Sequence, residues 1–258
     1  MFDESSRIRL AAAIEPLGMS AREALPKLQR MGVRGVQWPA AAAGLRPREL
    51  DRGARRDLQA VLRRLELELS GVDLPIPPEH FGDVARVDRA VAAAEEAIRF
   101  AAEFGRVPVS MRWPASRGDS NAEAEAAVAA LLAVAERRGV RFADETVPPP
   151  TSGPDREIVG LGLDPVALLA AGIDPAAVAL ERGPEIVATR LGDLDAAGVR
   201  VPPGAGGRLD VVRYRVSLEI AGFDGFAIID PRQWSDPRGG VAAAAEVWRE
   251  AGSPAEPS

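Results

Sequence analysis

The chain alternates between short apolar segments and longer stretches of helical periodicity, and this alternation restricts its architecture more than any other feature. Eight strand candidates can be placed: IRLAAAI (8–14), GVRGVQW (32–38), LELSGVDL (67–74), RVPVSMRW (106–113), VRFADE (140–145), IVGLGLD (158–164), EIVATRL (185–191) and FDGFAIID (223–230). Nearly every gap holds an Ala/Leu/Arg/Glu-rich helical pattern. The first starts at the N-cap Ser20 and closes at Gly32, and others are expected at 46–65, 83–105, 121–138, 165–183, 209–221 and 240–252. Asn121 marks the start of the helix at 121, and Gly105 and Gly139 close two of them.

This order predicts an α/β fold, a parallel (β/α)8 barrel, whose usual length of about 250 residues the 258-residue chain matches. A doubly wound sheet is the alternative, but it has fewer strands and often a glycine-rich first turn, and IEPLGMS contains no GxGxxG. The fifth β/α unit is irregular, because the prolines of TVPPPTSGPDRE exclude a regular helix there. The expected organisation is one domain over 1–252 and a flexible tail at 253–258.

Composition removes several chemistries. With no cysteine there is no disulfide framework, thiolate metal site or cysteine nucleophile. His80 is the only histidine, which excludes multi-histidine metal centres, and Lys27 is the only lysine, which leaves Schiff-base chemistry little support. A net charge of −6 argues against a nucleic-acid groove. No segment approaches the roughly 18 apolar residues of a membrane span, and no secretory signal opens the chain, so a cytoplasmic location is expected.

Over about residues 8–250 the chain resembles the xylose-isomerase-like barrel family, which includes sugar isomerases, epimerases and endonuclease IV-type enzymes. The resemblance rests on GVRGVQW at the second strand, AEFG before VPVSMRW, AERRGVRFADE, VGLGLDP, TRLGD followed by PPGAGGRLD, and AGFDGFAIID. It implies a divalent cation at the C-terminal mouth, held by carboxylates and one histidine, with two carboxylates moving protons at a substrate carbon. The matching positions are Glu145, Asp164, Arg190 and Asp230, and Glu145 and Asp230 are the catalytic candidates. Asp230 is shortened from the usual glutamate, Arg190 stands where the histidine is expected, Ala167 replaces a substrate-binding histidine, and Gln37 takes the place of a frequent glutamate.

Arginine cannot ligate a metal, having five donors, no acceptor and no accessible deprotonation. Its guanidinium instead relieves the mutual repulsion of Glu145, Asp164 and Asp230. No tightly bound cofactor is therefore expected, and weak Mg2+ or Mn2+ binding on those three carboxylates requires Arg190 to swing away. Arg190 can otherwise hold an anionic substrate, joined by Arg112, Arg232 and His80, while Trp113, with Trp38 and Trp234, can offer stacking surface at the rim. The implied ligand is a small sugar-like or anionic molecule, with no nucleic acid or membrane as partner, and the assembly is left open, a homo-oligomer among the alternatives. The rival reading is a non-catalytic binding or scaffold protein that keeps the barrel without turnover.

Overall fold

A computed structural model describes residues 8–114, 122–150 and 157–252. Asn121, the second half of the proline-rich loop and the tail at 253–258 lie outside these residues. Eight parallel strands close into a barrel: β1 (Arg9–Ala13), β2 (Gly35–Pro39), β3 (Glu68–Asp73), β4 (Val109–Met111), β5 (Phe142–Asp144), β6 (Val159–Leu163), β7 (Ile186–Leu191) and β10 (Phe226–Ile229). Closure is completed by β1 against β10, with Ala11 opposite Ile228. The strands between β7 and β10, β8 (Asp193–Leu194) and β9 (Arg200–Val201), form an antiparallel pair outside the barrel that the periodicity did not announce.

Helices surround the strands: α1 (Ala21–Arg30), α2 (Arg52–Arg64), α3 (Val87–Glu103), α4 (Ala122–Arg138), α5 (Pro165–Ala170), α6 (Pro175–Arg182), α7 (Val211–Ile220) and α8 (Pro237–Glu250). Local chemistry moves several boundaries. Ser20 caps α1 through a reciprocal pair with Glu23, as read from sequence. The expected helix at 46–65 instead begins at Arg52, because Asp51 accepts from Ala54 N and caps it there; Pro47–Glu49 form a single tight turn. The pattern at 165–183 is two helices, since Gly172 takes a left-handed φ of 73° after α5 and Asp174 caps a new start at Pro175. Helix α8 starts before Gly240, because Asp236 caps Arg238 N and Gly239 N ahead of the glycine pair. No helix among the described residues is long and apolar enough to cross a membrane.

The main core lies between the barrel and its helices, where Trp38, Phe100, Phe142, Leu131 and Trp248 are buried. Inside the barrel a much smaller cluster joins Ala11, Phe226 and Ile228. Alternation along a strand sends every second side chain inward. Several of those positions are small, among them Ala11, Gly35 and Gly71. At Gly35 a Cβ would lie 2.6 Å from the Phe226 ring, so its smallness is required by that packing. Small inward residues leave room near the mouth for long polar side chains.

Candidate functional site

The C-terminal strand ends converge on Arg190. On β7, Thr189 turns outward to hydrogen-bond Tyr214 of α7, so its neighbour Arg190 turns inward. The same alternation on β5 sends Phe142 against Trp113 and turns Glu145, one residue past the strand, into the mouth. Gly162 of β6 makes space for it: a Cβ there would stand 2.8 Å from Glu145 Cγ. Asp73 ends β3, and Asp230 follows β10 directly.

Every N–H of the Arg190 guanidinium has an acceptor. Its Nε donates to Glu145 Oε1 at 2.7 Å, and Nη2 donates to Glu145 Oε2 at 3.1 Å and to Asp73 Oδ1 at 2.7 Å. Its Nη1 donates to Gln37 Oε1 at 3.2 Å and to Asp230 Oδ2 at 3.3 Å. Gln37 passes the chain on, its Nε2 donating to Ser110 Oγ at 3.3 Å. Five donors meet five acceptor contacts, which is the full capacity of arginine. The side chain is only 3% exposed and Asp230 only 1%, so these are desolvated, charge-assisted contacts.

A second tier of arginines sits above. Arg232 donates from Nε to Asp230 Oδ1 at 3.0 Å and from Nη2 to Asp73 Oδ2 at 3.2 Å, yet its side chain is 33% exposed. Arg200, carried by the β8–β9 hairpin, donates from Nη2 to Asp230 Oδ2 at 3.1 Å and lies 3.8 Å from Asp164 Oδ2. Asp195 braces that hairpin by accepting from Ala197 N and Val199 N, both at 2.8 Å. Asp193, buried beneath it, accepts from Leu194 N at 2.7 Å and Leu209 N at 2.8 Å. It thereby ties the GAGG loop down, and a Cβ on Gly207 would collide with its carboxylate.

The sequence-expected residues separate into two groups. Glu145, Arg190, Asp230 and Arg232 are brought together. Asp164 stands at the edge without a bond from Arg190; its Oδ1 caps α5, accepting from Val166 N at 3.0 Å, and its partner above is Arg200. Arg112 is exposed, with no ion pair to the network. Trp38, Trp113 and Trp234 are all buried, and the Trp113 ring packs 4.9 Å from Phe142. His80 faces Arg86 instead, whose Nη1 donates to its Nε2 at 3.0 Å. Sequence reasoning missed Asp73 and Arg200. Asp73 was within reach, because it is the last polar residue of SGVD and falls in phase with inward Gly71. No sequence signal marks Arg200.

Burial and the neighbouring guanidiniums together shift the two central carboxylates in opposite directions. Burial pushes the Glu145 carboxyl up from its ordinary 4.5 to about 7, with Asp73 and Asp164 adding to the rise and Arg190 opposing it. For Asp230 burial also works against ionisation, but Arg190, Arg232 and Arg200 outweigh it and hold this carboxyl below its usual range. Folding therefore favours the protonated form of Glu145. That contribution is whole below about pH 4.5 and is lost as pH rises to about 7. Stability in denaturant melts should decline across that window, and Glu145→Gln, which keeps the shape without the charge, should flatten the slope. An unchanged slope in the variant would assign it to other groups.

This donor set does not fit a divalent cation. The inner carboxylate oxygens are already engaged by N–H donors, and a dication among them would face the Arg190 guanidinium. Among the described residues no group of three or more Asp, Glu or His side chains is arranged to hold a metal ion.

A family model described as xylose isomerase-like TIM barrel matches residues 25–251. Solved structures share the fold. A xylose isomerase domain protein from Alicyclobacillus acidocaldarius is 17% identical with a TM-score of 0.70, over 95% of this chain and 98% of that one. A D-tagatose 3-epimerase-like protein is 15% identical with a TM-score of 0.73, over 95% and 97%. A xylose isomerase-like TIM barrel protein from Mycobacterium smegmatis, solved in complex with magnesium, is 16% identical with a TM-score of 0.67, over 95% and 96%. No curated protein sequence matches the chain.

Proposed function

The chain belongs to the xylose isomerase-like TIM barrel family, and from that premise we propose that it is a sugar isomerase/epimerase-like protein in which a guanidinium supplies the charge of a divalent metal. Its mouth recognises a small sugar-like or anionic molecule, and the protein works without metal-dependent turnover. The single observation that carries this reading is the saturation of Arg190, whose five donors are spent on Gln37, Asp73, Glu145 and Asp230. A metal-binding histidine at that place would leave the carboxylates free; arginine occupies them. Ligand anions then meet the second tier, where Arg232 is partly exposed and its Nη1 has no partner among the described residues. Acid–base work at the mouth rests with Glu145, which exchanges a proton near neutral pH, rather than with Asp230, held ionised by three guanidiniums.

The test is a melting scan with and without millimolar Mn2+ or Mg2+, paired with metal analysis of the purified protein. Binding at a hundredfold excess over Kd stabilises a fold by about 2.7 kcal/mol, which is a shift of several degrees. No shift is expected for the wild type. A clear stabilisation that disappears in Glu145→Ala would overturn the reading. A thermal-shift screen of sugars, sugar phosphates and keto acids supplies the ligand arm, and a genuine mouth ligand should lose its effect in Arg232→Ala.

A further inference from the structure

A cavity that shares no residue with the arginine network opens between the loops that follow β2 and β3 and helix α3. Its volume is about 320 Å3, within the range of small-ligand pockets. The floor is apolar, with Ala40, Leu74, Ile76, Ala90 and Ala93 among its lining residues. The rim is cationic: Arg48, Arg86 and Arg89 line it, with the neutral His80 ring beside them. We infer that this cavity is a binding site for an amphipathic anion, an apolar body ending in a carboxylate or phosphate.

The rim has donors to spare. Arg48 and Arg89 are exposed and have no ion pair among the described residues. Arg46, by contrast, is spent on Glu49 and Ala41 O, and the one acid in the lining, Glu96, is taken by Arg99 and lies 3.8 Å from Arg55. Arg86 is shared between Asp83, at 3.2 Å, and His80. A guanidinium has no acceptor, so His80 Nε2 must be the acceptor of that bond and its ring proton sits on Nδ1. The only histidine of the chain is thus a fixed donor beside two unengaged guanidiniums, over an apolar floor. An anion among them gains charge-assisted, forked hydrogen bonds, and its apolar body covers surface that water now wets.

Naphthoate, naphthyl phosphate and uncharged naphthalenemethanol serve as probes, with binding read by titration calorimetry and by ligand-observed NMR. One saturable site is expected for an anionic probe, with the alcohol at least tenfold weaker. The exposed pair Arg48→Ala/Arg89→Ala should weaken the anion at least tenfold without moving Tm, and Ala93→Phe, which places a ring in the cavity, should abolish binding. Arg232→Ala should leave it unchanged, which separates this site from the mouth. The tighter of the two anionic probes identifies the head group. Equal binding of acid and alcohol, loss of binding in Arg232→Ala with retention in Arg48→Ala/Arg89→Ala, or no saturable binding would each overturn the assignment.

Discussion

Arg190→Met should destabilise the barrel by roughly 3–5 kcal/mol, the usual cost of leaving a buried charge without its partner. The size follows from what the variant leaves behind: Glu145, Asp73 and Asp230 keep their places in a desolvated mouth but lose the guanidinium that separates them. In a domain of this length, at roughly 2–4 °C per kcal/mol, the melting midpoint should fall by about 10 °C. The loss should shrink on acidification, because unpaired carboxylates bind protons more readily in the folded state than in the unfolded one, so stability recovers as pH falls. Arg190→Lys keeps the charge but offers three donors in place of a planar fork of five, and should lie between the wild type and Arg190→Met. Denaturant melts at neutral and mildly acidic pH decide the matter. A loss under about 1 kcal/mol, the level of an exposed ion pair, would remove Arg190 from its place as the organiser of the mouth.

Asp230→Ala inverts the problem and should also cost roughly 3–5 kcal/mol. Asp230 is 1% exposed and accepts from Arg190, Arg200 and Arg232, so its removal takes an acceptor from three guanidiniums at once and leaves a carboxylate-sized gap among them. Here the remedy is an anion rather than a proton. Formate or acetate at high concentration should restore part of the stability of Asp230→Ala and leave Arg190→Met unaffected. The wild-type contribution of Asp230 behaves as expected for a depressed carboxyl: it is present above its ordinary value of 3.8 and is lost only as pH falls below it. Because the two residues share one network, the double variant Arg190→Met/Asp230→Ala should lose clearly less than the two single losses added together. Strict additivity would mean that the contacts are independent.

Part of this network is written in the sequence alone. Glu145, Arg190 and Asp230 were legible because each falls at the end of an apolar segment of the right phase, where a barrel turns side chains into its mouth. Asp73 obeys the same rule and was overlooked only because no expected motif drew the eye to it. Asp164 was legible as a strand-end carboxylate, but its capping bond to Val166 N depends on α5 beginning at Pro165, and that directs the carboxylate away from Arg190. Arg200 had no local signal, since it lies on a two-residue strand in a loop and meets Asp230 across 30 residues. His80 was read as a mouth residue; the loop after β3 carries it toward α3 and into a different cavity.

The eight barrel strands, their parallel order and the acidic strand ends follow from the sequence by itself, because periodicity and capping are local properties that each segment carries alone; the short β8–β9 pair does not. The misplaced helix starts at Arg46 and Gly240 belong to the same level, since a capping aspartate nearby sets the true boundary. What Arg190 does was decided only in three dimensions. Its acceptors come from strand ends as far as 153 residues away, and whether five donors are saturated or free is a count that exists only after the barrel has closed. A guanidinium in the open is a surface charge; the same group, desolvated among Asp73, Glu145 and Asp230, occupies the oxygens a cation would need, and that physical exclusion is a property of the closed mouth.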